Sequence, residues 1–249
     1  MDTYGNKFYE KRHQKTVYAA NTILGMIQSV MPPIHSAVDV GCGVGTWLST
    51  LRAAGTSDIL GVDGHGVNMS MLEIPVENFQ HADLDALITL DKRFDLAISL
   101  EVAEHLKPAS AQMFIRSLTE MSDFVLFSAA IPFQATKYHI NEQWPNYWAD
   151  LFAEHDYVCF DIIRFEIWDD DKIPVWYRQN TLFFVKKSRI SELNFNIDGQ
   201  EYPTTNPVSV VHPQYYLKKN NDSRSLKGSW KLFKKATRKK FVIFFNELY

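Results

Sequence analysis

Three glycines spaced two residues apart follow the first predicted strand and form the clearest candidate binding site of this 249-residue chain. The stretch reads VDVGCGVGTW and contains Gly41, Gly43 and Gly45. Glycine lets the chain turn sharply and lets a ligand approach the main chain, so a side chain at Gly43 would occupy the ligand's space. Asp39, two residues before the first glycine, suits an ammonium group rather than a second phosphate.

Two further acids have the spacing of a nucleoside site. Asp63 ends the second predicted strand, eighteen residues after Gly45, where a carboxylate can accept the hydroxyls of a ribose. Asp83, next to Leu84, follows the third strand, where an acid can accept the exocyclic amine of an adenine. Their joint spacing with the glycines predicts an adenosine ligand. In a dinucleotide-binding fingerprint, G-x-G-x-x-G/A, the last small residue comes three residues after the second glycine, whereas here Gly45 comes two residues after Gly43. The P-loop sequence G-x-x-x-x-G-K-S/T is also absent.

A parallel sheet would bring these residues together. Short apolar runs alternate with helical patterns between 37 and 187, which predicts α/β units with helices on both faces of the sheet. The predicted strands are 37–41, 58–63, 76–80, 94–100, 123–130, 157–168 and 180–187. The predicted helices are 18–31, 45–54, 108–120 and 141–155. About eleven residues without a helical pattern join the last two strands, so we expect them to form an antiparallel hairpin that completes seven strands.

The motifs resemble those of the class I S-adenosylmethionine-dependent methyltransferases over residues 1–187. In order they read VDVGCGVGTW, GVDG, FDLAISLEVAEHL, FSAAIP, HINEQWPNYW, IWDD and WYRQN, and this series is similar to a bacterial-type subgroup. The resemblance implies a Rossmann-like seven-stranded sheet with an antiparallel last strand, and S-adenosyl-L-methionine as the cofactor. The residues that it assigns to the cofactor are Asp39, Gly41, Gly43, Gly45, Trp47, Asp63, Asp83, Leu84, Leu100 and Glu101.

Three segments follow carboxyl ends of strands and should surround the acceptor: 101–107, 132–147 and 168–179. They supply the candidate general bases His139, His105 and Glu142. An imidazole is suited to taking a hydroxyl proton because its pKa lies near neutrality. Each candidate also has a structural alternative. His139 would help to cap a helix, His105 would pack in a loop, and Glu142 would be a helix-start carboxylate favoured by the dipole.

Aromatic and charged side chains in the same segments are candidates for holding the acceptor. Trp144 and Tyr177 can stack on a sugar, although aromatic residues in helices often belong to the core. Arg178 can clamp a phosphate or carboxylate, or form a salt bridge to the acids at 169–171. No second, spaced set of ligands accompanies those three acids, so no metal site is predicted.

The two ends of the chain have separate predicted roles. In relatives, an N-terminal segment such as 1–35 often folds over the cofactor as a lid, and here it would bring Tyr9 and His13 to the substrate. The extension at 188–249 ends in a predicted basic amphipathic helix at 224–248. Residues 218–240 contain ten Lys or Arg and one acid, a net +9, whereas the remaining 16 bases and 28 acids give −12.

The basic helix is suited to an anionic membrane surface, to a partner, or to the protein's own body. The acidic remainder is a poor match for nucleic acid. The N-terminus has no apolar signal region, no segment is apolar enough to span a bilayer, and two cysteines are too few for a disulfide framework. These features predict a cytoplasmic protein, with peripheral membrane contact as an option.

Relatives with these motifs resemble enzymes of surface-polysaccharide and other glycan assembly. The expected reaction is therefore O-methylation of a sugar hydroxyl by in-line transfer, with a histidine base. The SLEV sequence after the fourth strand has neither the Asn/Asp-Pro-Pro-aromatic motif nor a cysteine, which argues against methylation of nucleic-acid bases. The alternatives are another small molecule or RNA as acceptor, an NAD-type oxidoreductase, and a non-catalytic cofactor-binding subunit.

Overall fold

The computed structural model describes residues 5–134, 138–194, 203–204 and 207–224. Its strands are β1 Ser36–Val40, β2 Asp58–Asp63, β3 Phe79–His81, β4 Leu96–Leu100, β5 Phe124–Ser128, β6 Tyr157–Phe160, β7 Leu182–Lys186 and β8 Pro203–Thr204. Its α-helices are α1 Gly5–Val30, α2 Thr46–Ala53, α3 Ala111–Met121, α4 Pro145–Ala153, α5 Val175–Asn180 and α6 Pro213–Arg224. Short 3-10 helices span Met69–Met71, Val76–Asn78, Ala103–His105, Pro108–Ser110 and Lys187–Glu192.

The strands form one sheet in the order β3-β2-β1-β4-β5-β7-β6-β8. The strands from β1 to β5 pair in parallel, whereas β7 lies antiparallel between β5 and β6. This arrangement confirms the Rossmann-like sheet with a late antiparallel strand. The two-residue strand β8 pairs antiparallel with β6 and adds an eighth strand that the sequence did not predict.

Alternate side chains of the buried strands supply cores on both faces of the sheet. Leu96 and Ile98 of β4 pack in the cluster that contains apolar residues of α1 and α2. Ala97, between them in the chain, packs with Phe114 of α3 and Phe152 of α4. Because successive side chains of a strand point to opposite faces, this double burial explains the continuous apolar runs in the sequence.

The prediction for 157–168 as one strand was wrong, because β6 ends at Phe160. The Arg164 side chain is fully buried and pairs with Asp161, three residues earlier. Residues three apart point to opposite faces of a strand, so this pair requires a turn instead. The prediction that no helix joins the last two strands was also wrong, since α5 begins after Pro174 in that connection. Their antiparallel pairing is confirmed.

Several helix boundaries also differ from the predictions. The first helix begins at Gly5 rather than at Tyr18, and the helix predicted at 141–155 begins at Pro145. Proline is favourable in a first turn because its missing N–H needs no partner there. The predicted helix at 108–120 starts as a 3-10 turn, and the strand predicted at 76–80 begins with another. The stretch 188–217, expected to lack regular elements, contains β8 and the start of α6.

The chain divides into two units, Met1–Ser209 and Val210–Tyr249. The first contains the sheet, and the described part of the second contains α6. The domain boundary placed at residue 187 from sequence stays a prediction. Residues 225–249, which hold nearly all of the predicted basic amphipathic helix, lie outside the described residues. Within the described parts of the chain, no helix combines the length and apolar character needed to span a bilayer.

Candidate functional site

The turn between β1 and α2 uses its three glycines in two different ways. Gly41, Gly43 and Gly45 all have positive φ angles, of 83°, 55° and 86°, which favour glycine. A Cβ at Gly41 would lie 2.3 Å from the Val102 side chain, and one at Gly45 would lie 3.0 Å from Ile74. At Gly43 no described atom lies within 4 Å of such a Cβ. Packing therefore requires the outer glycines, whereas Gly43 faces open space that a ligand can enter.

The carboxylate of Asp63 lies against this turn. Its two oxygens accept hydrogen bonds from the main-chain nitrogens of Gly43 and Gly64, each at 2.6 Å. Asp39 on β1 is buried, and burial followed by the nearby charge of Asp63 raises its pKa well above the usual range. Two acids beside one open turn make a site that favours a ligand carrying both a cationic group and hydroxyls.

The third acid assigned from sequence lies beside the same edge. Asp83 is exposed just beyond β3 and accepts a hydrogen bond from the main-chain nitrogen of Asp85 at 3.0 Å. Ala82 donates to the carbonyl oxygen of Asp63 at 3.0 Å, which holds the ends of β2 and β3 together. Leu84 is half-buried and packs against the core. The adenine assignment of this pair stays a prediction.

Two aromatic residues assigned to different ligands contact one another. The ring of Trp47, at the start of α2, lies 5.3 Å from that of Tyr177 on α5 in an edge-to-face arrangement. Both side chains are buried, and burial raises the pKa of Tyr177 to about 12. This contact brings α5, which the sequence did not predict, to the helix that follows the glycine turn.

The long first helix also approaches the turn. His13 lies 3.1 Å from Glu73, and Glu73 accepts a hydrogen bond from the Thr46 hydroxyl at 2.9 Å. Thr46 directly follows the last glycine of the turn. Tyr9 belongs to the same helix, but its side chain is outside the described part. The predicted lid role of this segment stays a prediction.

A network of amides holds the residue after β4. Leu100 is buried at the end of the strand, and Glu101 follows with an unusual φ of 58°. Its main-chain nitrogen donates to the carbonyl oxygen of Ser128 at 2.9 Å. Its carboxylate accepts from the amides of Asn180 at 2.9 Å and Gln134 at 3.2 Å. Burial raises the pKa of Glu101, and these hydrogen bonds oppose the increase.

The sequence pattern alone indicates no role for Gln134 or Asn180. The available signal was the QN at the end of the WYRQN motif, but 79 residues separate Asn180 from Glu101. Only the pairing of β5 with both β4 and β7 brings these positions together. The amides are donors whose hydrogen bonds favour a charged carboxylate at Glu101.

The three candidate bases lie in one cluster. The Nδ1 atom of His139 lies 2.9 Å from a carboxylate oxygen of Glu142, and the His139 and His105 rings lie 4.7 Å apart. The second carboxylate oxygen of Glu142 accepts from the main-chain nitrogen of Phe133 at 2.8 Å. Since α4 begins only at Pro145, the alternative of Glu142 as a helix-start carboxylate was wrong, as was that of His139 as part of a helix cap.

Glu104 is a further member of this cluster, for which the sequence pattern indicates no role. It is 0% exposed, and neither carboxylate oxygen has a hydrogen-bond partner of normal geometry among the described residues. Burial and then the charge of Glu101 raise its pKa to about 9, against a lowering influence of main-chain N–H groups. Burial lowers the pKa of His105. Glu104, His105 and His139 each place one possible metal-binding atom within 4.8 Å of the others.

The remaining acceptor candidates differ in exposure. Trp144 is partly exposed in front of α4. Arg178 is buried and donates to the carbonyl oxygen of Trp168 at 2.8 Å, so part of its guanidinium ties α5 to the preceding loop. The salt bridge to the acids at 169–171 is not among the ion pairs of the described residues. The role of Arg178 as a clamp for a phosphate or carboxylate of the substrate stays a prediction.

The described residues fit S-adenosylmethionine. The open space at Gly43 can receive a ligand next to the main chain. Burial raises the pKa of Asp39, and a ligand ammonium group beside it would favour its charged form, while the Asp63 carboxylate is placed at the turn to accept hydroxyls. These groups lie at the carboxyl ends of neighbouring parallel strands, where open α/β sheets bind ligands.

Comparison with known proteins gives the same family. A family model described as a methyltransferase domain matches residues 15–164. Among curated proteins, no relative matches this chain. Three solved structures are similar. DesVI of Streptomyces venezuelae is 20% identical over 53% of this chain and 58% of DesVI, with a TM-score of 0.43. CalS10, an amino pentose methyltransferase from Micromonospora echinaspora with bound S-adenosylmethionine, is 18% identical over 55% of this chain and 60% of CalS10, with a TM-score of 0.44. Magnesium protoporphyrin IX methyltransferase from Synechocystis PCC 6803 with bound S-adenosylhomocysteine is 19% identical over 70% of this chain and 84% of that chain, with a TM-score of 0.48.

The matched region spans about three fifths of the length of DesVI and CalS10. The family model, in contrast, covers more than half of the present chain and includes the glycine turn, β4 and the His105–His139 cluster. A match of that extent, together with the sheet order and the site, shows that this chain belongs to the class I methyltransferases and uses S-adenosylmethionine as its cofactor.

Proposed function

We propose that this methyltransferase transfers the methyl group to a hydroxyl oxygen, and that the acceptor is a sugar on a nucleotide or on a growing glycan. S-adenosylmethionine, when bound, supplies a methyl group on a positively charged sulfur that a nucleophile attacks in line. The family assignment sets aside the alternative of an NAD-type oxidoreductase. A cofactor-binding subunit without catalytic activity is the alternative that a turnover assay addresses.

The observation that carries the proposal is the position of the histidine cluster. Val102 packs against Gly41 in the cofactor turn, and the 3-10 helix that follows it contains Glu104 and His105. Strands β1 and β4, which lead into these two segments, are neighbours in the sheet. Groups that can take a proton therefore follow closely in the chain after a residue that packs against the glycine turn, which supports an acceptor hydroxyl approaching from this side.

The pair formed by His139 and Glu142 supports removal of a proton from the acceptor. With Nδ1 of His139 donating to the Glu142 carboxylate, the lone pair of His139 lies on Nε2. A histidine oriented by a carboxylate in this way can act as a general base towards a hydroxyl. The His139 side chain is 7% exposed, so little bulk water competes for that lone pair.

Apolar side chains on the same loop support a sugar as acceptor. Phe133 is 77% exposed, and Tyr138, Ile140 and Trp144 are also exposed. Sugar rings present CH faces that pack against aromatic rings, while their hydroxyls remain available. The resemblance of the motifs to enzymes of glycan assembly adds the substrate class. A lipid-linked glycan would also use the basic segment at 225–249, through contact with an anionic membrane.

The test is an acceptor panel with the full-length protein and isotope-labelled S-adenosylmethionine. Nucleotide sugars, lipid-linked glycans, small phenols and RNA oligonucleotides are supplied separately, and products are detected by mass spectrometry. We expect methylated product from a sugar acceptor and none from RNA. Turnover with RNA alone, or cofactor binding without turnover on any acceptor, would contradict the proposal.

A further inference from the structure

We propose that Glu104, His105 and His139 form a binding site for a divalent transition-metal ion beside the cofactor turn. One possible donor atom from each residue lies within 4.8 Å of the other two. Two imidazoles and one carboxylate suit first-row ions such as Mn²⁺, Co²⁺ and Zn²⁺ better than Mg²⁺ or Ca²⁺, which prefer oxygen ligands. This inference replaces the expectation of no metal, which rested on the acids at 169–171.

Glu104 supplies an independent observation. Its side chain is completely buried, and although main-chain N–H groups lie close to the carboxylate, neither oxygen has a hydrogen-bond partner of normal geometry among the residues that the structure describes. Buried polar groups in proteins are normally paired, so an unpaired carboxylate indicates a missing partner. A cation held between this carboxylate and the two histidines would supply that partner.

Both histidines have an oxygen acceptor next to Nδ1. Nδ1 of His139 is held by Glu142 at 2.9 Å, and Nδ1 of His105 lies 3.2 Å from the carbonyl oxygen of Tyr138. Each acceptor favours the tautomer with hydrogen on Nδ1 and leaves the Nε2 lone pair for a ligand. Metal-binding histidines commonly have a carboxylate or carbonyl behind them in this way.

The main chain fixes the two donor segments to each other. The nitrogens of Ile140 and Asn141 donate to the carbonyl oxygen of Glu104, at 2.9 and 3.0 Å. These bonds hold the loop that carries His139 against the 3-10 helix that carries Glu104 and His105. Small side-chain movements can therefore bring the donors to coordination distance of roughly 2.0–2.2 Å from an ion.

Three protein ligands leave coordination positions open for water or for acceptor oxygens. The role of the ion rests on the proposed hydroxyl methylation, whereas the site itself rests only on the donors. A bound ion would orient a hydroxyl that has a neighbouring oxygen, as in a sugar diol, and would lower its pKa so that solvent takes the proton. His139 would then act as a ligand, and this role would replace its role as general base.

The test uses the tag-free full-length protein, freed of metal with a chelator and titrated with Co²⁺, Mn²⁺ and Mg²⁺. Visible absorption reports Co²⁺ in the site, and calorimetry gives affinity and stoichiometry. We expect one Co²⁺ per chain and weaker binding of Mg²⁺. His105→Ala and His139→Ala should each reduce Co²⁺ affinity at least about 10-fold. Glu142→Gln should do the same, because Glu142 holds Nδ1 of His139.

His155→Ala is the matched control, because His155 lies after α4 and outside the cluster. It should bind Co²⁺ as the unchanged protein does. Should an alanine variant fail to fold, as judged by thermal unfolding, His105→Gln and Glu104→Gln keep the side-chain size. Absence of stoichiometric Co²⁺ binding, or equal affinity in the cluster variants and the control, would overturn the metal site. Normal cofactor binding and methyl transfer in that case would leave the proposed function intact.

Discussion

A carboxylate oxygen of Asp63 lies 2.6 Å from the main-chain nitrogen of Gly43, at the one turn glycine whose added Cβ would meet no described atom within 4 Å. The contact links the end of β2 to the turn after β1. It places an acceptor for ribose hydroxyls beside space that a ligand can enter. The site therefore depends on a particular glycine of the motif rather than on all three equally.

Gly43→Ala should weaken binding of S-adenosylhomocysteine by at least about 10-fold, because its methyl group enters the ligand's space. The left-handed φ should also cost about 1–2 kcal/mol of stability. Gly55→Ala is a matched control, since Gly55 also has a positive φ and open space around its Cβ position. It should lose stability and keep cofactor affinity. Equal affinity in the two variants, measured by calorimetry, would contradict the placement of the cofactor.

Gly41→Ala should instead act through packing. Its Cβ would lie 2.3 Å from the Val102 side chain, so the variant should lose about 1–3 kcal/mol from overpacking, in addition to the φ strain. Urea unfolding measures this loss. Val102→Ala in the same protein removes the obstructing methyl groups and should restore part of the stability. If the loss of stability in the double variant equals the sum of the losses in the two single variants, the contact between Gly41 and Val102 does not cause the loss.

Asp39 should make stability depend on pH. Its folded pKa lies above its ordinary value of 3.8, so between these two values the folded state binds more protons than the unfolded state. The stability contribution is full below about pH 4 and is lost as the pH rises through the folded pKa. The free energy of unfolding of the unchanged protein should thus fall with rising pH relative to Asp39→Asn. If the difference in the free energy of unfolding between the two proteins does not change with pH, the raised pKa of Asp39 is refuted.

His139→Ala should lower turnover by about 10²–10⁴-fold if His139 removes the acceptor proton, with little change in cofactor affinity. The comparison is with His155→Ala, which should keep normal turnover. Steady-state rates and calorimetry on the same preparations separate the two effects. A large loss of cofactor affinity in His139→Ala would place this residue in the cofactor site instead.

Deletion of 225–249 should abolish binding to anionic vesicles and spare activity on a soluble acceptor. The segment contains seven Lys or Arg and one acid, and its attraction to anionic lipid should weaken with added salt. Co-sedimentation with vesicles of phosphatidylserine and phosphatidylcholine measures binding. Full-length protein that ignores these vesicles would exclude the membrane role.

The sheet and the cofactor turn could be predicted from sequence because their signals are local. Apolar runs identified the buried strands, and Gly41, Gly43 and Gly45 occur within five residues. The region from 157 to 168 was predicted wrongly because its apolar residues continue past β6, whereas Asp161 and Arg164 pair across a turn. Local hydrophobicity cannot reveal that pair.

The acceptor side depends on contacts between distant segments. His139 lies 34 residues after His105 in the sequence, and their approach depends on hydrogen bonds from Ile140 and Asn141 to Glu104. The sequence predicted both histidines and Glu142 around one acceptor, but it could not show that their side chains contact one another. It also could not show that the Glu104 carboxylate is buried without a hydrogen-bond partner of normal geometry among the described residues, since the burial of a side chain depends on segments distant in the sequence.

The position of the methyl group in the product distinguishes hydroxyl methylation of a sugar from every alternative. The full-length protein is incubated with a sugar acceptor and isotope-labelled S-adenosylmethionine, and the product is analysed by nuclear magnetic resonance. We expect the labelled methyl group on a hydroxyl oxygen of the sugar. A label on nitrogen or carbon, or the absence of label from every sugar acceptor while another class of acceptor is methylated, would contradict it.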